Sequence, residues 1–171
     1  MITLHYLGTK HGGFGASVIR YAQRGYSEPA RGVTHTEALL GGGPGSAIMA
    51  SSSLVDSLGD GKGGVRTKHG VVLNPAHWLV LDLPDTPERN ARASARWFAE
   101  HDGEPYDRRG AAGSVGQALV QQSEGEWFCT EAVAASMSFQ DPHMMCPAAF
   151  YVKLLEMGAR DISAEFFGPG A

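Results

Sequence analysis

The strongest constraint on the fold is a stretch of alternating side chains, residues 33–40, that runs directly into a glycine-rich turn. A period of two places His35 and Glu37 on one face of a strand. The following GGGPG, residues 41–45, is compatible only with a turn, and residues 46–51 then form a second strand that pairs back on the first. An antiparallel sheet is therefore predicted early in the chain.

The remaining patterns predict more strands, with helices placed around them. Further strands are predicted at residues 2–7, 65–67, 71–73 and 78–83. Helices are predicted at 15–24, from near Pro87 to about His101 after a cap at Asp85 or Thr86, at 115–122, from Cys129 onward, and at 147–157. Residues 26–32 are predicted to be a loop and residues 162–171 a loose tail. Residues 1–171 thus form a single predicted domain of the α+β class.

Composition excludes several classes of function. With 43% hydrophobic residues among 171, the chain is typical of one soluble globular domain. Lys and Arg number 14 against 18 Asp and Glu, which gives a net charge of −4, and no basic block occurs, so nucleic acid is not an expected partner. The sequence contains no signal-peptide pattern and no long apolar run, so we expect no integral membrane association. A cytoplasmic location is the default expectation, and delivery to the periplasm or cell wall by a non-classical route stays open.

Cys129 is the first candidate for chemistry. It opens an alanine-rich run that predicts a helix, and the unpaired N–H groups of a helix N-terminus favour thiolate over thiol. The alternative is an inert buried cysteine, which is common. The other cysteine, Cys146, is not expected to form a disulfide with it, because thiols usually stay reduced in a chain without an export signal.

His35 is the candidate general base, since imidazole titrates near neutral pH. Glu37 leaves the same strand face about 6.6 Å along the strand, from the rise of two residues, and is the candidate to orient the ring. Ser51 is a weaker alternative for that role. Each of these residues also has a structural interpretation, and the six other histidines are expected to be surface or structural residues. Cysteine, histidine and an acid are together the components of a thiol hydrolase.

No metal or cofactor is expected. The histidines do not fall into H-E-x-x-H spacing, C-x-x-C is missing, and no EF-hand loop occurs. The glycine-rich stretches lack the G-x-x-x-x-G-K-[ST] order of a phosphate-binding loop, so they are interpreted as turns.

Several short stretches, in this order, resemble the circularly permuted branch of the NlpC-type papain-like cysteine peptidases. The matching stretches are Thr34-His35-Thr36-Glu37, the serine-rich residues 50–53, the Gly-Gly-Val-Arg of 63–66, Gly-Glu-Pro-Tyr-Asp at 103–107 and Phe128-Cys129-Thr130-Glu131. The resemblance implies a permuted papain-like fold, in which a small, barrel-like antiparallel sheet packs against helices that include the nucleophile helix. It also implies that Tyr106 lies near the nucleophile, where its hydroxyl can donate to the developing oxyanion. A packing role for Tyr106 is the alternative.

Three functions are compatible with these observations. The favoured one is a cysteine peptidase or amidase that cleaves an amide bond in peptidoglycan peptides, with Cys129, His35, Glu37 and Tyr106 as catalytic residues. The second is a lipid-directed thioesterase or acyltransferase of the same permuted family. The third is a binding module that keeps the fold without catalysis.

Overall fold

A computed structural model describes residues 1–8, 14–54, 63–116 and 124–168. It is an α+β structure built on a six-stranded antiparallel sheet. The strands are β1 (Ile2–Leu7), β2 (Val33–Gly41), β3 (Ala47–Ser53), β4 (Gly64–Val71), β5 (Trp78–Asp82) and β6 (Arg160–Asp161). They lie in the order β4-β3-β2-β1-β5-β6, so the predicted hairpin of β2 and β3 is part of this sheet.

Six α-helices occur in the described part of the chain, together with three short 3-10 turns. The helices are α1 (Phe14–Ala22), α2 (Ala91–Glu100), α3 (Arg108–Gly116), α4 (Cys129–Ser136), α5 (Pro147–Glu156) and α6 (Ser163–Phe167). The 3-10 turns are Ala30–Gly32, Pro75–His77 and Pro142–Met144. Among the residues described, no helix has the length and apolar character needed to cross a bilayer.

The sheet is open, so the barrel-like form expected from the resemblance is wrong. The edge strands β4 and β6 stand at opposite ends of the sheet and do not pair with each other. Closure of a barrel requires every strand to hydrogen-bond on both sides. The edge strand β6 has only two residues and pairs through Asp161 and Arg160 with β5 alone, which leaves too little backbone to close the sheet.

Helix starts differ from the prediction where another residue provides the cap. Helix α2 begins at Ala91 and not near Pro87, because the Asn90 side chain, rather than Asp85 or Thr86, accepts a hydrogen bond from the Ala93 N–H at 2.9 Å. Helix α3 begins well before the predicted 115–122, because Asp107 accepts from the Gly110 N–H at 2.7 Å. Residues 117–122 of that prediction lie outside the described residues.

Two further predictions need correction. The strands predicted at 65–67 and 71–73 belong largely to one strand, β4, which continues through residues 68–70 and ends at Val71. The tail predicted to be loose contains α6, whose Phe166 packs against the apolar cluster on one side of the sheet. Apolar contact thus orders residues 163–167, while residues 169–171 lie outside the described part.

The sheet carries an apolar cluster on each side. The larger one joins inward residues of the strands, such as Ala38 and Ala50, to Phe98 of α2, Val133 of α4 and Phe150 of α5. Burial of each such large side chain contributes roughly 1.5–3 kcal/mol relative to exposure. This packing fixes α4 against β2 and β3, which is the contact that positions the candidate site.

Candidate active site

Cys129 is the first residue of α4. Phe128 before it is extended and buried, and its N–H donates to a carboxylate oxygen of Glu131 at 3.2 Å, which fixes the first turn of the helix. The N–H groups of this turn lack partners within the helix, as at every helix N-terminus. The position predicted for Cys129 at a helix start is therefore found.

The start of α4 lies where β2 and β3 part. Their paired residues run from Ala38 to Gly41 on β2. Beyond Ala38, hydrogen bonds of the Ser51 hydroxyl replace the pairing of the two strands. This hydroxyl donates to the Thr36 carbonyl at 2.7 Å and to the Cys129 carbonyl at 3.4 Å. Ser51 thus bonds to backbone and does not orient His35, which was its alternative role.

Glu37 holds the imidazole of His35. Nε2 of His35 and Oε1 of Glu37 are 2.8 Å apart, and the two residues share a face of β2. The His35 side chain is 25% exposed, whereas Glu37 is fully buried. With Nε2 engaged, Nδ1 is the nitrogen that remains for proton exchange with Cys129.

The imidazole of His35 and the thiol of Cys129 interact electrostatically, and each shifts the pKa of the other. Burial disfavours the thiolate, but attraction and a hydrogen bond from His35, with hydrogen bonds from the Thr130 hydroxyl and the Thr36 N–H, hold the pKa of Cys129 below its usual value. Burial likewise opposes the imidazolium, yet Cys129 and then Glu37 raise the pKa of His35 to about 9. Both shifts favour a thiolate–imidazolium pair.

A buried lysine completes the surroundings of Glu37. Lys68 on β4 is 7% exposed, and its ammonium group forms an ion pair with Oε1 of Glu37. Burial alone raises the pKa of a carboxyl, but Lys68 and His35 together hold the pKa of Glu37 below its usual value. Oε2 of Glu37 is buried without a hydrogen-bond partner, so both cationic donors meet on one oxygen.

Tyr106 lies near Cys129 because its turn pairs with the residues before α4. Tyr106 forms a parallel bridge with Trp127, the Trp127 N–H donates to the Pro105 carbonyl at 3.0 Å, and the Asp107 N–H donates to the Trp127 carbonyl at 3.0 Å. Burial and the nearby charge of Cys129 raise the pKa of Tyr106, so its hydroxyl stays protonated and able to donate.

The turn that carries Tyr106 is also tied to β4. The Val65 N–H donates to the Glu104 carbonyl at 2.8 Å. Gly64 has φ of +114°, and a Cβ there would lie 2.3 Å from the Glu104 carbonyl oxygen, so only glycine permits this approach. The Gly-Gly-Val-Arg and Gly-Glu-Pro-Tyr-Asp stretches are therefore in direct contact.

A pair of buried carboxyl groups interacts electrostatically with Tyr106. Asp107 and Glu131 are both about fully buried, and each has one oxygen without a hydrogen-bond partner. Burial and the charge of Asp107 raise the pKa of Glu131 to about 7, although the Phe128 N–H opposes the shift. Glu131 therefore supports the helix start, and its electrostatic interaction with Asp107 is a feature that the sequence pattern did not reveal.

A polar cleft opens beside Tyr106. It has a volume of about 640 Å³, and its lining consists of Tyr106, Arg108, Arg109, Glu124 and Glu126. Cys129 itself retains 5% exposure, and the more open His35 side chain lies beside it. Tyr106 is thus the residue that the cleft shares with the surroundings of Cys129.

The other candidate groups lie elsewhere. Cys146 is a free, buried thiol at the start of α5, where its sulfur accepts from the Ala149 N–H at 3.5 Å. His5 is completely buried and hydrogen-bonds to the Thr3 hydroxyl at 2.9 Å, as expected of a structural histidine. Among the described residues, no group of three His, Cys, Asp or Glu side chains has the arrangement of a metal site.

Comparisons with other proteins leave the site to be interpreted from its own geometry. Neither the protein-family models, nor the curated proteins, nor the solved structures gave a match to this chain. The function of this chain must accordingly be inferred from the chemistry that Cys129, His35 and their neighbours can perform.

Proposed function

We propose that this chain is a cysteine hydrolase that cleaves an amide bond, with Cys129 as nucleophile and His35 as general base. The observation that carries the proposal is that Cys129, at the start of a helix, and His35, whose Nε2 is held by Glu37 at 2.8 Å, shift each other's pKa toward the thiolate and the imidazolium. A nucleophile, a base within hydrogen-bond reach and a third group that orients the base form the arrangement that nucleophilic catalysis requires.

The reaction proceeds by acyl transfer. Nδ1 of His35 takes the Cys129 proton, and the thiolate attacks the substrate carbonyl to form a tetrahedral oxyanion. The Cys129 N–H and the Tyr106 hydroxyl donate to that oxyanion. His35 then protonates the departing amine, which leaves a thioester, and activates a water molecule whose attack releases the acid and restores the thiol.

We assign the fold to the permuted papain-like type on the order of its parts. The histidine strand β2 precedes the cysteine helix α4 in the chain, as in the permuted NlpC-type peptidases that the sequence motifs resemble. The contacts of Gly64 with Glu104, and of Tyr106 with Trp127, join those motifs around one site. The meeting of these motifs at one site supports the assignment to the same type of protein as the permuted peptidases.

The cleft favours a peptide over a long acyl chain as the substrate. Two arginines and two glutamates line it, and charged side chains do not provide the apolar surface that an acyl chain needs. Cell-wall peptides carry both carboxylate and amine groups, so the cleft offers an opposite charge for each. A peptidoglycan peptide is therefore the substrate class we propose.

Purified muropeptides test this function directly. We expect the wild-type chain to cleave one defined bond, which mass spectrometry of the products identifies. Cys129→Ala should leave the muropeptides intact. Cys146→Ser is the matched control, because it changes the other buried thiol while keeping a helix-capping side chain, and it should retain turnover.

Two results would contradict the proposal. Turnover of long-chain acyl esters without muropeptide cleavage would indicate a lipid-directed thioesterase or acyltransferase. No turnover of either substrate, together with equal labelling of both cysteines by iodoacetamide, would indicate a binding module.

A further inference from the structure

Lys68 is a buried cation with no direct part in the proposed reaction. Its ammonium group hydrogen-bonds to Oε1 of Glu37, the same oxygen that receives Nε2 of His35. A buried lysine is costly unless its charge is paired, and the pairing here is with the carboxylate that holds the candidate base. The position of Lys68 therefore links its charge to the dyad.

Four side chains form a series, here named the charge row: Lys68, Glu37, His35 and Cys129. Lys68 and His35 both hydrogen-bond to Glu37, and His35 and Cys129 interact electrostatically. In the thiolate–imidazolium form their charges alternate as plus, minus, plus and minus. The net charge of the row is then zero. Without the lysine the same form would carry a net charge of −1 in a site where all but His35 are nearly or fully buried.

The groups around the charge row offer no substitute for this lysine. The titratable groups nearby are Tyr106, Asp107 and Glu131 on the side of α4, Arg66 on β4, and Tyr6, which pairs with His35, and His5 on β1. The first three and Tyr6 are acids and supply no positive charge. Arg66 has an interaction of its own, and burial lowers the pKa of His5 to about 3, so that this ring is neutral.

We propose that Lys68 is a positioning residue of the candidate active site, which acts through Glu37 by cancelling its charge and so permits the thiolate–imidazolium pair to form. The inference rests on the proposed cysteine hydrolase chemistry. Its physical reason is that removal of a buried positive charge favours retention of a proton, and within the charge row the sulfur is the group that retains it.

Variants that remove the charge of Lys68, of Glu37 or of both residues lead to different expectations for the pH at which Cys129 becomes a thiolate. Lys68→Met should raise the pH at which Cys129 becomes a thiolate, and Glu37→Gln, which keeps an acceptor for His35, should lower that pH. The double variant restores a row of zero net charge, so its midpoint should return close to that of the wild type. Lys68→Arg keeps the charge and should also resemble the wild type.

The experiment measures the rate of Cys129 alkylation by iodoacetamide as a function of pH, with peptide mass spectrometry to identify the labelled cysteine. For Lys68→Met we expect a midpoint about one unit higher and, below it, alkylation about tenfold slower than in the wild type. Lys153→Met is the matched control, because this lysine lies on the exposed surface of α5 and pairs there with Glu156.

The result separates this inference from the proposed function. An unchanged midpoint in Lys68→Met, or a double variant more impaired than either single one, would overturn the role of Lys68 while leaving muropeptide cleavage to stand. Should Lys68→Met fail to fold, the comparison of Glu37→Gln with the double variant decides the question. The double variant must then show a higher alkylation midpoint than Glu37→Gln alone. The absence of that rise would overturn the proposal.

Discussion

The sulfur of Cys129 is surrounded by donors from two parts of the chain. His35 and the Thr36 N–H come from β2, and the Thr130 hydroxyl comes from α4. Together they outweigh the cost of burying a thiolate. At the scale of single residues, reactivity thus depends on hydrogen bonds to the ionised form.

Tyr106→Phe tests the oxyanion role of the phenol. Loss of one oxyanion donor typically lowers kcat by roughly a hundredfold or more, so we expect that decrease for muropeptide cleavage. KM and the pH dependence of Cys129 alkylation should remain close to the wild type, because the phenol acts on the transition state and not on the thiol. An unchanged kcat would show that Tyr106 is a packing residue.

Individual residues of the site differed in how well the sequence revealed them. Alternation along β2 indicated that Glu37 and His35 share a face, and the two are in contact. Lys68 was missed because the predicted strand was divided at that point, and because a strand lysine ordinarily faces water. Its partner lies two strands away in the sheet, and local periodicity carries no information about such pairs.

At the scale of elements, the site depends on the parting of β2 and β3. Ser51 replaces the missing strand pairing by donating to the Thr36 carbonyl, and Ser52 donates to the Trp127 carbonyl at 2.6 Å. These bonds hold the chain before α4 against the sheet. The start of α4 is therefore positioned by Ser51 and Ser52, at the point where β3 separates from β2.

Ser51→Ala tests this arrangement. It leaves the buried Thr36 carbonyl without its donor, which should lower the free energy of unfolding by about 1–3 kcal/mol and slow Cys129 alkylation. Urea unfolding and alkylation rates measure the two effects. Ser53→Ala, at the less buried end of β3, is the control and should change neither; equal losses in both variants would contradict the account.

Element types were easier to predict than their limits. The strands at residues 2–7 and 33–40, and the helices at Cys129 and Pro147, follow from periodicity and from proline at a helix start. The start of α2 was missed because Asp85, Thr86 and Asn90 are all acceptable caps, and tertiary packing selects among them. The open form of the sheet depends on pairing between distant strands, which the local pattern does not contain.

At the scale of the whole molecule, the sheet separates two environments for histidine. His5 and His35 lie on neighbouring strands but on opposite faces. The ring of His5 packs against Tyr151 of α5 at 5.2 Å, and burial lowers its pKa to about 3, whereas the pKa of His35 is raised to about 9 by its anionic neighbours. The same side chain is fully buried with a lowered pKa on one face, and belongs to the candidate site with a raised pKa on the other.

The lowered pKa of His5 makes stability depend on pH. The unfolded chain binds a proton at His5 below about pH 6.5, and the folded chain does not until about pH 3, so the contribution is present above 6.5 and is lost as pH falls. The free energy of unfolding should decrease by about 1.4 kcal/mol for each pH unit in this window. In urea unfolding, His5→Gln should reduce the slope of the free energy of unfolding against pH by the amount that corresponds to one proton. His69→Gln, an exposed histidine, should leave it unchanged, and equal slopes in all three proteins would contradict the assignment.

The reactivity of Cys129 toward iodoacetamide across pH, in the wild type and in His35→Asn, tests the central claim most directly. We predict that wild-type Cys129 is labelled well below the ordinary thiol pKa of about 8.5 and at least about tenfold faster than Cys146, and that His35→Asn moves the midpoint up to the ordinary value. Slow labelling of both cysteines at equal rates, rising only near the ordinary thiol pKa and unaffected by His35→Asn, would contradict a thiolate–imidazolium pair.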